Sequence, residues 1–435
     1  MSATASPILQ TTLAMRFRAA RRQTISLSEP LTPEDMMVQS CPEASPAKWH
    51  LAHTTWFFES FVLREFLPDY RLFNRDFAWL FNSYYQSFSA FPEKRLRSSF
   101  SRPGLDEVLR YREHVDAAMK RLLDGEPDAE ALRRIELGVN HEEQHQELLL
   151  TDILHAFFTN PLRPKYREQA TPAAQPPGTP AGTEGARERG ETQPLVFEEF
   201  EGGLREAGHS GDGFCFDNEL PRHRVWLEPF ALANRLVTCG EYAKFMADGS
   251  YQKPEFWLSA GWDAVKANGW RAPLYWTEKD GAWSVFTLCG ELPLQQLESV
   301  PVSQVSFYEA DAYARWAGHR LPTEFEWEAA AEGQPFEGNL LDSGRLTPAS
   351  TELVQNGNGT KYGDCWVWTS SAYLGYPGFS PLNGALGEYN GKFMSGQMVL
   401  RGGSCVTPSR HIRASYRNFF APETRWQFSG IRLTS

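Results

Sequence analysis

Two of the ten histidines stand four residues apart in His141-Glu142-Glu143-Gln144-His145-Gln146-Glu147. On a helix that spacing stacks both imidazoles on one face, where their ring nitrogens can share a metal ion. The same residues satisfy His-Glu-x-x-His, in which two histidines hold zinc and the glutamate is the general base of a protease. The chain downstream does not continue that reading. A metzincin needs a glycine and a third histidine, and Leu148 and Thr151 stand at the matching positions. The other common type needs a glutamate ligand on a later helix, whereas the chain runs into Pro161 and then a stretch without apolar residues.

A third ligand must therefore come from another helix. Trp49-His50-Leu51-Ala52-His53 offers two histidines on one turn, and spacing does not choose between them. Three neutral imidazoles leave vacancies on a six-coordinate metal, and Fe(II) uses such vacancies to bind substrate and O₂ together. On zinc they would hold a water for hydrolysis. The residues permit both chemistries.

The elements that position these residues are helical. Ser45 followed by Pro46 predicts an N-cap and first turn, opening a helix over Ala47–Phe66 that ends before Pro68. A long helix is expected from near Asp128 to Thr159, stopped by Asn160-Pro161, with amphipathic helices over Leu105–Leu123 and Leu13–Thr24. Four helices joined by unequal loops predict an up-down bundle over residues 10–165, a fold whose metal sites are built from facing helices. Residues 166–195 are expected to be a flexible linker or loop: Ala170 to Gln193 holds no Val, Ile, Leu, Met, Phe, Tyr or Trp with which to offset its ordering entropy. Residues 196–435 change character. Short strand-like runs such as Arg224–Leu227 and Met398–Leu400, many Trp and Gly, and only two evident helices (Cys239–Ala247, Tyr308–Ala317) predict an irregular α+β domain without internal repeats.

Composition narrows the function. The 435 residues suggest two or three domains. The charge balance of 43 basic and 54 acidic side chains, net −11, argues against a non-specific nucleic-acid binder. No apolar run approaches the roughly 18 residues that span a bilayer. The arginines at 16, 18, 21 and 22 follow rather than precede the apolar residues of the N-terminus, the wrong order for a secretory signal. Six scattered cysteines without a Cys-x-x-Cys pair fit a reducing compartment, so the expectation is a soluble cytoplasmic protein.

Three segments together carry a family resemblance: Ser45 to Glu59, then Phe81-Asn82-Ser83-Tyr84-Tyr85, then His141-x-x-x-His145-x-Glu147. They resemble the DinB-like domain of the ergothioneine-pathway sulfoxide synthases of the EgtB type. The second half resembles the formylglycine-generating-enzyme (sulfatase-modifying factor) fold, an irregular, C-type-lectin-like α+β fold. Its marks are Pro301 to Ser306, Gly318 to Glu328, Arg401-Gly402-Gly403-Ser404 and Gly430 to Leu433. The resemblance implies a mononuclear non-haem Fe(II) enzyme with O₂ as co-substrate. It would join a sulfur donor to the imidazole C2 of hercynine, the trimethylated betaine of histidine, and give a sulfoxide. The partners it implies are small molecules, with neither nucleic acid nor membrane.

Carried over residue by residue, the resemblance makes His53, His141 and His145 the iron ligands, the family's Leu-Ala-His selecting His53 and leaving His50 a structural role. It gives Gln144 a contact to the betaine. A trimethylammonium group has no N–H to donate, so an aromatic surface complements it. Asn418, Phe419 and Phe420, with Arg425 and Trp426, are the candidates for that surface and its polar anchors. Tyr84 or Tyr85 would supply a phenol able to pass a proton near the iron.

Two departures bear on activity. Formylglycine generation needs paired cysteines after the Arg-Gly-Gly-Ser turn, and Thr407 and Ile412 occupy those positions while Cys405 is offset. The family's Arg-x-x-Arg-Gly segment, which grips the donor carboxylate, here reads Lys94-Arg95-Leu96-Arg97-Ser98. Lysine cannot reproduce a planar bidentate clamp. A cysteine-type thiol is the leading donor; the alternative is a selenosugar without a carboxylate, the donor of the related selenoneine synthases.

Overall fold

A computed structural model describes residues 7–168, 194–350 and 360–435, so residues 169–193 of the linker expected over 166–195 lie outside the described residues, while at its start Tyr166 is buried and donates its amide to the Leu288 carbonyl at 3.0 Å. The chain forms two compact units. The first comprises Met1–Pro161 together with Gly208–Arg222 and Gly375–Met394, and the second comprises the remaining segments, Leu162–Ala207, His223–Leu374 and Ser395–Ser435.

The first unit is a helical bundle built on Pro7–Ser28, Ala47–Phe58, Leu105–Asp124 and Ala129–Thr159. Asp128 caps the last of these by accepting the Ala131 amide at 2.8 Å, as its place before the apolar run predicts. The second helix starts where expected but without the expected cap. Extended Pro46 occupies the cap position, and the Ser45 hydroxyl instead accepts a hydrogen bond from Arg97 Nη1 at 2.7 Å. Its second half is also not plain α-helix, because Glu59–Leu63 winds as a π-helix before Arg64–Phe66 resumes. There the buried Glu59 carboxylate accepts from Tyr70 and Tyr111 at 2.6 and 2.7 Å and from the Phe73 amide at 3.2 Å.

The long helix and the second helix approach closely through Gly138. A Cβ at that position would fall 2.5 Å from Phe58 Cε1, so any larger residue would push apart the helices that carry the histidines. Glu142, fully buried, then ties three helices together. It pairs with Arg21 and Arg112, each at 2.9 Å, and accepts the Thr24 hydroxyl at 2.7 Å. The two segments that join the bundle from far along the chain are held by side chains. Glu388 accepts the amides of Gln86 and Ser87 at 3.0 and 2.9 Å, and Asn390 donates to Asp217 at 2.7 Å.

The second unit is irregular α+β. Its largest sheet has four strands in the order Asn418–Phe420, Met398–Arg401, Trp366–Ala372, Ser429–Gly430. A three-stranded meander (Trp276–Lys279, Ala282–Thr287, Gly290–Pro293) and several two-stranded ladders complete the strands described. The two predicted helices are present as Cys239–Ala247 and Phe307–Trp316, and two that the sequence reading passed over are Ser259–Asn268 and Glu324–Ala331. Three of the four share one device: a Thr or Ser cap forms a capping box with a glutamate three residues on, at Thr238/Glu241, Ser306/Glu309 and Thr323/Glu326. An arginine then grips each glutamate, Arg235, Arg425 and Arg320 respectively, at 2.7–2.8 Å. Arg-Leu-x-Thr-x-x-Glu thus recurs at Arg235–Glu241 and Arg320–Glu326, a short repeat where none was expected. Among the described residues no helix is long and apolar enough to cross a membrane.

Candidate metal centre

His53 reaches inward from the second helix, and His141 and His145 from successive turns of the long helix. One nitrogen of each lies within 4.8 Å of the others. The ring centroids are 4.5–4.9 Å apart and the ring planes meet at 64–75°, so the imidazoles converge edge-on rather than stack. The spacing left His50 and His53 open as the third ligand; the geometry selects His53.

The ring nitrogens are held differently. Nδ1 of His53 lies 2.6 Å from the Phe81 carbonyl and must donate to it, which makes Nε2 a lone pair, and that buried atom has no hydrogen-bond partner among the described residues. Nδ1 of His145 lies 2.8 Å from Nδ1 of His50, whose Nε2 is 3.1 Å from Asp152 Oδ2. Among the described residues neither nitrogen of His141 has a hydrogen-bond partner, and its ring packs against Phe57 at 4.7 Å and Tyr389 at 5.6 Å. Burial pushes His53 and His145 well below the usual imidazole range and His141 down to about 3, so all three rings are neutral with lone pairs available. Buried polar atoms without partners are costly, and a cation shared by three lone pairs removes that cost. The residues fit a metal ion.

Layered rings fix the plane of His53. Trp49 and Trp56, one turn to either side, lie nearly parallel to it at 4.3 and 5.4 Å, and the Arg97 guanidinium caps Trp49 at 3.5 Å. Glu142, the glutamate of His-Glu-x-x-His, is not available as a base. Burial alone would raise its pKa, but Arg21 and Arg112 outweigh that and hold it at about 2.

The remaining predicted residues fall into three groups. In the first unit, Tyr85 is fully buried against Trp56 and Phe61, while Tyr84 packs on Tyr85 at 4.6 Å and on Phe393 at 5.3 Å. Burial raises the pKa of both phenols, so they are protonated at neutral pH. Gln144 accepts a hydrogen bond from the hydroxyl of Tyr389, a residue that the sequence reading missed because it lies 245 positions away with no local motif. Tyr389 is also stacked on Phe216 at 5.4 Å.

The donor-segment residues differ from each other. Lys94 is exposed, whereas Arg97 is buried and donates to the hydroxyls of Ser45 and Ser83 at 2.7 and 2.9 Å. The others belong to the second unit. Phe419 stacks on Tyr373 at 4.0 Å, Phe420 and Trp426 are 6.4 Å apart, and Asn418 pairs through its strand with Leu400. Arg425 is buried, paired with Glu309 at 2.8 Å and lying over the Trp270 ring at 4.2 Å.

Two family profiles match the chain, one described as the DinB superfamily over residues 16–157 and one as the sulfatase-modifying factor enzyme 1-like domain over residues 195–360. The hercynine oxygenase of Mycolicibacterium smegmatis is 31% identical over 98% of this chain and 99% of its own length. That of Mycolicibacterium thermoresistibile is 30% identical over 97% and 94%. The chain belongs to the hercynine oxygenase family. A formylglycine-generating enzyme from Streptomyces coelicolor is 30% identical but matches only 52% of this chain, over 84% of its own length. Where the turn alignment calls for thiols, this hercynine oxygenase family member has Thr407, whose hydroxyl bonds Ser404 at 3.0 Å, and Ile412, packed so close to Gly403 (φ +81°) that a Cβ there would meet its Cδ1 at 2.7 Å.

Proposed function

We propose that this chain is a mononuclear non-haem Fe(II) enzyme that uses O₂ to join a sulfur donor to the imidazole C2 of hercynine, giving a hercynyl sulfoxide in ergothioneine biosynthesis. The observation that carries the reading is the convergence of three neutral, buried imidazoles, two of them with nitrogens that no hydrogen bond among the described residues satisfies. Similarity over nearly the full chain to proteins named hercynine oxygenase supports hercynine as the substrate. An Fe(II) ion held by His53, His141 and His145 would supply O₂ activation at its open positions.

The protein groups around it have separable tasks. Trp49 and Trp56 hold His53 in plane, and the Phe81 carbonyl fixes its tautomer. Gln144, beside His145, presents an amide to the substrate's imidazole or carboxylate, with its oxygen oriented by Tyr389. Phenols that stay protonated at neutral pH can return a proton to the reacting centre. Of Tyr84, Tyr85 and Tyr389, the last packs directly on a ligand histidine. Asn418, Phe419, Phe420, Arg425 and Trp426 are assigned to the trimethylammonium surface and its surroundings on the family resemblance, with Phe420 and Trp426 as the ring pair.

Anaerobic loading with Fe(II), followed by O₂-uptake measurement with and without hercynine, tests the reading; uptake that ignores hercynine overturns it. One observation favours a second donor. Arg97 is engaged by Ser45, Ser83 and Trp49, and Lys94 is no substitute for a planar clamp, so the segment is poorly suited to grip a carboxylate. A selenosugar donor, forming a C–Se bond on the same scaffold, fits that arrangement. Comparing cysteine, γ-glutamylcysteine and a selenosugar as co-substrates separates the two, and turnover with the selenosugar alone would replace the thiol reading.

A further inference from the structure

The two histidines on the turn Trp49–His53 divide their work. His53 points at the common centre, while His50 sits behind His145 with Nδ1 facing Nδ1 at 2.8 Å. Two facing ring nitrogens at that distance need one proton between them, and its owner is decided on the far side of His50. There Asp152 Oδ2 lies 3.1 Å from His50 Nε2 and already accepts the backbone amide of Ser45 at 2.8 Å. The oxygen that takes the Ser45 amide is an acceptor, so the hydrogen between it and His50 is placed on Nε2 of His50. With Nε2 as the donor of the His50 ring, its Nδ1 faces His145 as the acceptor, and the shared hydrogen belongs to His145.

We propose that Asp152 and His50 are positioning residues that fix His145 as its Nδ1–H tautomer, leaving Nε2 as the nitrogen that faces the centre. This rests on the metal-centre reading above. His53 obtains the same tautomer from a backbone carbonyl, which no substitution can remove. His145 obtains it from two side chains, and His141 has no hydrogen bond among the described residues that would set it. The ligand set is therefore unequal, and His145 is the member whose readiness depends on residues outside it. Carboxylate–histidine support of this kind raises ligand basicity and orients the ring, and its loss typically costs about 10–100-fold in metal affinity.

The test uses the full chain, metal-free and labelled with ¹⁵N-histidine. Long-range ¹⁵N–¹H correlation, with the His145 signals assigned by their loss in His145→Gln, should show hydrogen on Nδ1 and none on Nε2. The reverse pattern overturns the proposal without recourse to any variant at His50. Calorimetric titration with Co(II) alone supplies the second arm. His50→Leu, which has no acceptor, should bind about 10–100-fold more weakly than wild type. His50→Gln, whose side-chain oxygen can accept the same hydrogen, should recover most of that loss. Wild-type affinity in His50→Leu overturns the proposal. Wild-type protein that binds no Co(II) yet shows the expected His145 tautomer upholds the hydrogen-bond assignment and overturns the metal-centre reading, so the two failures remain distinguishable.

Discussion

Trp49 lies flat against His53, ring centroids 4.3 Å apart and planes within 13°, so the indole acts as a wall that stops the imidazole from turning about its own axis. Arg97 presses the indole from the other side at 3.5 Å. Trp49→Ala removes the wall and opens a core cavity, and should cost about 3–5 kcal/mol of stability. The folded fraction should also bind Co(II) about 10-fold more weakly, because a ligand that rotates freely must be ordered on binding. Trp49→Phe keeps a flat partner and should keep most of the affinity. Equal Co(II) affinity in Trp49→Ala and wild type, measured by calorimetry, would show that the stack is packing alone.

His141→Ala should abolish both metal binding and turnover while leaving the bundle folded, since neither ring nitrogen takes part in a hydrogen bond with any described residue. Binding to the native state alone stabilises it by about 2.7 kcal/mol at 100 times the dissociation constant. Added Co(II) should therefore raise the Tm of wild type and leave that of His141→Ala unmoved. A variant that keeps its full metal content would contradict the ligand assignment.

Much of the bundle was legible because its signals are local. Asp128, Asn160-Pro161 and Leu67-Pro68 mark helix ends by chemistry that operates within a few residues. The i,i+4 histidines carry their geometry in their spacing. Ser45 misled because its hydroxyl had a stronger long-range claimant in Arg97, and the π-helical turn at Glu59 depends on Tyr70 and Tyr111, which no local pattern announces. The choice between His50 and His53 and the presence of Tyr389 beside Gln144 are likewise tertiary facts. The helix over Glu324–Ala331, by contrast, was readable: Thr323 and Glu326 form a capping box in plain sequence.

Glu142 stands next to His141 yet serves the fold. Glu142→Gln leaves Arg112 buried without its paired carboxylate and Arg21 with Asp116 alone, and breaking such a buried pair costs about 3–5 kcal/mol. Urea unfolding should show that loss at neutral pH. Peptidase assays of wild type with zinc should show no cleavage, and cleavage that disappears in Glu142→Gln would restore the protease reading.

Acid should loosen the second unit through its arginine-gripped caps. Burial alone would raise the pKa of Glu241 and Glu326, but the hydrogen bonds from Arg235 and Arg320 and the cap amides outweigh it, and both carboxyls are lowered. A lowered folded-state pKa gives stability that is present above the ordinary carboxylate range and is lost as pH falls through that range and below. The Tm should drop steeply below about pH 4.3, the ordinary Glu value. The double variant Glu241→Gln, Glu326→Gln should start from a lower Tm at pH 7 and show a shallower acid slope. Parallel slopes in variant and wild type would assign the acid response to other groups.

Tyr389 meets the long helix at two neighbouring residues: its ring packs on His141 at 5.6 Å and its hydroxyl donates to Gln144. Tyr389→Phe keeps the ring and removes the proton. If the phenol supplies a proton in the reaction, hercynine-dependent O₂ uptake by the Fe(II)-loaded enzyme should fall by about 10²-fold or more, with Co(II) affinity unchanged. Tyr85→Phe should fall less, because that ring lies buried between Trp56 and Phe61. A role limited to holding Gln144 predicts a different split, a raised hercynine KM with kcat near wild type. Wild-type kinetics in Tyr389→Phe would return the proton-donor role to Tyr84 or Tyr85, where the sequence first placed it.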